Sequence, residues 1–197
     1  MPFLSVTVDG TTVATVDTSG RDVVTVRVSG SRDDDDFADL SVTGGIYARE
    51  GITEHRIWVE GLLLTVGQTV GVALLAEATP HGDGRTLEEI YPHSEAFEMP
   101  TPFEREQLAA EIRQLPLVRE GFTMRLVSPD GSSTTYSTAP TDHGFGFNVL
   151  WNNVNPDRAS MSLSCYAIDT VAADKPGRTL ASQKIPLHGE VHLELVA

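Results

Sequence analysis

The chain is written twice. Slid against itself by 121 residues without a gap, it lays one alternating apolar pattern over another. Val24, Val26 and Val28 fall on Phe145, Phe147 and Val149, and Leu40, Val42 and Ile46 fall on Met161, Leu163 and Ala167. Further on, Val59 meets Leu180, Leu64 meets Ile185, and Val66 meets Leu187. Val70, Val72 and Leu74 then meet Val191, Leu193 and Leu195. Successive side chains of a strand point to opposite faces, so a slip of one residue would turn every apolar side chain toward water. A phase kept through several loops therefore marks a duplicated strand unit. Asp9-Gly10 falls on Asp130-Gly131, a turn-favouring pair in both copies, and the run Asp33 to Asp36 falls beside Asn152, Asn153, Asn155 and Asp157. The first strand needs a shift, because Phe122, Met124 and Leu126 match Leu4, Val6 and Val8 better than Arg125, Val127 and Pro129 do.

Period-two segments in the first copy are expected near 3–9, 11–17, 22–29, 38–47, 55–60 and 69–77. Those of the second copy are expected near 122–128, 133–138, 144–151, 160–169, 178–185 and 190–196. Short alternating strands at this spacing imply antiparallel sheets. The expected fold is all-β, with two tandem antiparallel β-sandwich units at 1–77 and 121–197, related by internal duplication. The acidic linker between them, 78–120, opens with the turn-rich Thr79-Pro80-His81-Gly82-Asp83-Gly84 and a helical turn at Leu87 to Tyr91. Thr101-Pro102-Phe103-Glu104 reads as a capping box opening a helix over about 102–115, with Phe103, Leu108, Ile112 and Leu115 as its apolar stripe. The stripe is expected to pack on the first unit, where Gly71 and Ala73 permit close approach; His192 and Glu194 hold the matching places in the second unit and favour water.

Charge narrows the function. The 197 residues carry 28 acidic and 14 Lys plus Arg side chains, a net charge of −14. Nucleic-acid and anionic-membrane surfaces attract positive proteins, so neither is an expected partner. Residues 1–76 and 77–120 each carry −6, against −2 for 121–197. No apolar run approaches about 20 residues, and no basic leader precedes the first strand, so a cytoplasmic protein is expected. Cys165 is the single cysteine and falls at an inward position, which suits a small core residue.

Candidate sites are few. Asp33, Asp35 and Asp36 supply carboxylates of the kind calcium takes, with Asp39 nearby, yet the spacing of an EF-hand loop is missing and a solvated acidic loop is the expected reading. Glu190 and His192 share one face of the last strand with Glu194, a pairing able to hold zinc. The polar outer face of a half-buried strand is the expected reading, since Val191, Leu193 and Leu195 take the inward positions. His81 and His93 read as surface-loop residues. No nucleophile elbow, phosphate loop or zinc helix is present, so no cofactor is expected beyond a weak calcium site.

Parity also puts Tyr47, Arg56, Trp58 and Glu60 on an outward face, a composition typical of binding hot spots unless the linker or the second unit covers them. The reading that follows is a non-enzymatic, acidic protein-binding module for a basic protein, such as an immunity-type neutralising protein. Two alternatives stand beside it. One is an assembly component that self-associates through sandwich edges. The other is a divalent-metal protein or enzyme whose site is scattered in sequence.

Overall fold

The computed structural model describes residues 1–48, 51–92 and 102–197. The first copy forms β1 (Phe3–Val8), β2 (Thr11–Asp17), β3 (Val23–Ser31), β4 (Ala38–Ala48), β5 (Gly51–Leu64) and β6 (Thr69–Leu75). Two helices follow, α1 (Leu87–Ile90) and α2 (Pro102–Ile112). The second copy forms β7 (Thr123–Val127), β8 (Ser133–Ser137), β9 (Gly144–Asn152), β10 (Arg158–Tyr166), α3 (Ile168–Ala172), β11 (Arg178–Pro186) and β12 (Glu190–Leu195). The expected strands are all present. Among the described residues no helix is long and apolar enough to cross a membrane.

The strands form two six-stranded antiparallel sheets, ordered β2-β1-β6-β12-β7-β8 and β11-β10-β9-β3-β4-β5. Each copy gives three neighbouring strands to each sheet, so each is a three-on-three sandwich. The copies join edge to edge at β6–β12 and β3–β9. At those seams Gly71 pairs with His192 and Arg27 with Asn148, each residue opposite its own counterpart 121 positions away. A pseudo-twofold axis thus runs through both seams, the geometry a duplicated unit adopts when its two copies close on each other. Joining this way also covers strand edges that each copy would otherwise leave unpaired.

One apolar cluster fills the space between the sheets. Val24, Val26 and Val28 and their counterparts Phe145, Phe147 and Val149 are all fully buried, as are Leu163 and Cys165. The shift expected in the first strand is present: Leu4 and Val6 are matched in the core by Met124 and Leu126, one residue off the general offset. The hairpins differ accordingly. Asp9 and Gly10 both take positive φ, 51° and 75°, in a two-residue turn, whereas the β7–β8 connection runs from Ser128 to Ser132 with Gly131 at 80°.

Three expectations need correction. The strand expected to reach residue 169 stops at Tyr166, and Ile168 opens α3. Helix α2 ends at Ile112 instead of 115, and Thr101, its expected cap, lies outside the described residues. Most consequentially, α2 packs on the second unit, not the first. Ala109 is its buried residue, and it faces α3 together with Arg105 and Ile112. Ion pairs of Arg113 with Asp169 at 2.7 Å and of Arg105 with Asp174 at 3.8 Å hold the two helices together. The small side chain of Ala109 permits the close approach, while Gly71 is crowded instead by Thr7, Glu190 and His192.

Candidate functional site

The outward set on β4 and β5 is knitted into the linker. Residues 82–85 fold over β5, with reciprocal backbone bonds of 2.8 Å between Ile57 and Arg85. The indole N–H of Trp58 donates to the Gly82 carbonyl at 3.3 Å, Gly84 lies against the ring, and the Arg21 guanidinium stacks 5.7 Å from its centroid. Arg56 donates to Glu54 at 2.8 Å, and Glu60 takes Arg85 at 3.5 Å and the Tyr91 hydroxyl. Arg56, Trp58 and Glu60 are therefore brought together, and they anchor the linker. Tyr47 is the member left mostly outside; its hydroxyl lies 3.4 Å from His55.

The four-Asp loop between β3 and β4 is organised from within by an arginine the sequence reading did not single out. Arg119 donates through Nη1 to the carbonyls of Asp36 at 2.9 Å and Phe37 at 3.1 Å. Its Nη2 reaches those of Asp34 at 2.6 Å and Asp35 at 3.1 Å. The same guanidinium lies over Phe37 and Phe122, 5.3 and 5.4 Å from the ring centroids. Converging carbonyls are what a hard cation would seek, and here a covalently attached cation has taken that place. The carboxylates behave differently from one another. Asp33 turns inward, accepting from Ser31 and sitting 2.7 Å from His143 Nε2, while Asp34, Asp35 and Asp36 stay exposed. Glu190 and His192 lie 3.5 Å apart on β12, in the other sheet. Among the described residues no three His, Cys, Asp or Glu side chains form a group able to hold a metal.

His143, absent from the sequence reading, closes one end of a cleft of about 140 Å³ between α2, α3 and the end of β3. Ser31 Oγ lies 3.0 Å from the same Nε2 that faces Asp33. A hydrolytic relay needs hydroxyl and carboxylate on opposite ring nitrogens, so this trio is a locked hydrogen-bond cluster and not a nucleophile with its base. Burial, the largest influence on Asp33, pushes its carboxyl up, but the Ser31 hydroxyl, the backbone and His143 outweigh it and hold the group below the usual carboxylate range. Behind the cleft, burial and the neighbouring Asp142 push the Cys165 thiol up to about 11, so it is no nucleophile at neutral pH. No sequence pattern could have joined residues 31, 33 and 143; the pairing arises where β3 and β9 lie side by side.

The loop, Arg119 and the segment after α2 make one surface. Val118 N–H donates to the Arg32 carbonyl at 2.8 Å, which lays residues 117–120 along the acidic loop. Leu117 and Val118 are about half exposed there, as is Leu115 just before them, and Asp34, Asp35, Asp36 and Glu120 are exposed as well. Compared with protein-family models, with curated proteins and with solved structures, the chain matches none.

Proposed function

We propose that this protein is a non-enzymatic binding module that captures a basic protein, as a neutralising immunity protein does, through the surface made by residues 34–36 and 115–120. The observation that carries the reading is the Arg119 clasp. It satisfies the loop's carbonyls internally and leaves the carboxylates of Asp34, Asp35 and Asp36 facing water beside exposed leucines. A loop fixed in this way loses little conformational freedom on binding, which favours affinity. The positive charge of the chain supports the same reading because much of it is spent internally. Arg21, Arg56, Arg85, Arg105, Arg113, Arg125 and Arg178 all pair with carboxylates of this chain, and Arg32 and Arg119 hold carbonyls. The acidic excess is thus displayed to solvent, where it steers opposite charge and rejects like charge.

The test uses a fluorescent lysine-rich peptide titrated with the protein at rising ionic strength. Binding is expected to weaken with salt, and to weaken more in Asp35→Asn with Asp36→Asn than in Glu77→Gln with Glu88→Gln, which removes equal charge from other exposed sites. Equal losses in the two double variants would reject the loop as the site.

A further inference from the structure

We infer that the cleft between α2 and α3 receives one apolar side chain of the basic partner, an anchor of about leucine or phenylalanine size, while flanking Lys or Arg side chains reach Asp34, Asp35 and Asp36. The inference rests on the capture reading and gives its partner a chemistry.

Four observations carry it. The cleft has a volume of about 140 Å³, and an apolar protein cavity of about 150 Å³ admits a benzene-sized guest. Its walls are apolar, with Leu108, Ala109 and Ile112 of α2 facing Ile168, Val171 and Ala172 of α3. At the polar end, the Nε–H of Arg105 is buried and has no hydrogen-bond partner among the described residues. A buried donor without an acceptor is costly, and the backbone carbonyl beside an inserted side chain supplies one. Finally, cleft and acidic rim are continuous. Asp33 lines the cleft and leads directly into Asp34–Asp36, while Leu108 lines the cleft and is also half exposed at its mouth. Asp33 places a carboxylate in the wall, and Arg105 already faces Asp174, which disfavours an anionic small molecule in the same space.

Two capped peptides decide the matter, Lys-Lys-Leu-Lys-Lys and Lys-Lys-Ala-Lys-Lys, titrated into the intact protein at one fixed low salt concentration. The leucine peptide is expected to bind about tenfold more tightly, the order of effect that burial of the extra side-chain carbons gives. It is also expected to shift the amide resonances of Ala109, Ile168 and Val171. Ala109→Leu fills the cleft and is expected to abolish the preference for the leucine peptide. Should that variant not fold, the ratio of the two peptides on the native chain still gives the answer. Equal affinities that remain sensitive to salt and to Asp35 and Asp36 would discard the anchor cleft and leave the capture reading standing. Failure of both peptides to bind would discard both.

Discussion

The loop that enters the seam strand of each copy, β3 or β9, is tied by charge to that copy's edge strand, β5 or β11, but the two copies do it with different residues. Arg56 pairs across the sheet with Gly44, and Arg178 with Cys165, so the two arginines hold equivalent places because Gly44 and Cys165 are counterparts. In the second copy Arg178 binds Asp142 directly at 2.5 Å. In the first copy the counterpart of Asp142 is Arg21, and two cations cannot pair. Glu54 therefore stands between them and accepts from both Arg21 and Arg56. The duplication kept the location of the constraint and not its chemistry. The two solutions also differ in burial: the side chain of Asp142 is 8% exposed and that of Glu54 31%. Asp142 accordingly needs further satisfaction, and takes the Ala139 N–H at 2.7 Å.

The largest expected effects lie where the copies are alike. Phe147→Ala, in the second copy, should cost about 3–5 kcal/mol, and its first-copy counterpart Val26→Ala about 2 kcal/mol. Because both side chains sit in one cluster, each variant should still unfold in a single step. The protein has two tryptophans, Trp58 in the first copy and Trp151 in the second. Urea titrations followed by fluorescence in the Trp58→Phe and Trp151→Phe backgrounds should each coincide with that background's own circular dichroism transition. Fluorescence that leads or lags the dichroism in either would show that the copies fold separately.

A smaller effect sharpens the charge comparison. Asp142→Ala strands Arg178 and the Ala139 N–H, and should cost about 2 kcal/mol, the scale of hydrogen bonds to a charged group. Glu54→Gln acts at a more exposed site and should cost less. Equal losses by thermal denaturation would mean that burial does not distinguish the two ties.

Smaller again is the effect of Arg119→Met. Its four carbonyl partners can turn to water, so global stability should fall by only about 1 kcal/mol. Local order should change more. Amide exchange should speed up across 33–37 and stay unchanged in the matching loop of the second copy. That loop is held separately, by the Asn155 N–H on Asn152 Oδ1 and by the Trp151 indole on the Pro156 carbonyl. Acceleration in both loops would show that the clasp acts on the whole sheet.

These comparisons also show what sequence can carry. The strands were legible because inward positions recur every second residue and the core enforces them, so even the one-residue shift before Met124 left a trace. The linker was less legible. Of the expected stripe Phe103, Leu108, Ile112 and Leu115, Leu108 and Ile112 do line the cleft against α3 while Phe103 stays exposed and Leu115 half exposed, and the buried residue is the small Ala109, which permits close approach. The inward period of β10 runs on to Ala167, so the expected strand takes in Ile168 and Asp169, the first two residues of α3. The Arg119 clasp and the His143–Asp33 pair join residues 82 or more positions apart. They leave no local pattern, because any surface arginine or histidine looks the same in sequence.

The smallest expected effect compares two buried acids at neighbouring loops, Asp33 of the first copy and Asp142 of the second. Burial, their largest influence, raises both pKa values, and in each case hydrogen bonds and a cationic neighbour outweigh it, so both stand below the value of 3.8 for a free aspartate. A carboxyl whose pKa is lowered by folding stabilises the native state above its unfolded value, and that contribution disappears as pH falls through the folded one. The loss therefore belongs below about pH 4, and neutral pH should show none of it. Melting temperatures measured from pH 6 down to pH 2 should fall less steeply in Asp33→Asn and in Asp142→Asn than in the parent. The two acids differ in their partners: Asp142 holds the Arg178 guanidinium, whereas Asp33 sits against the His143 ring and the Ser31 hydroxyl. Above about pH 5 both variants should run parallel to the parent, since the lowered carboxyl pKa values act only on the acid limb. An acid limb as steep as the parent's in either variant would show that folding does not lower the pKa of that carboxyl.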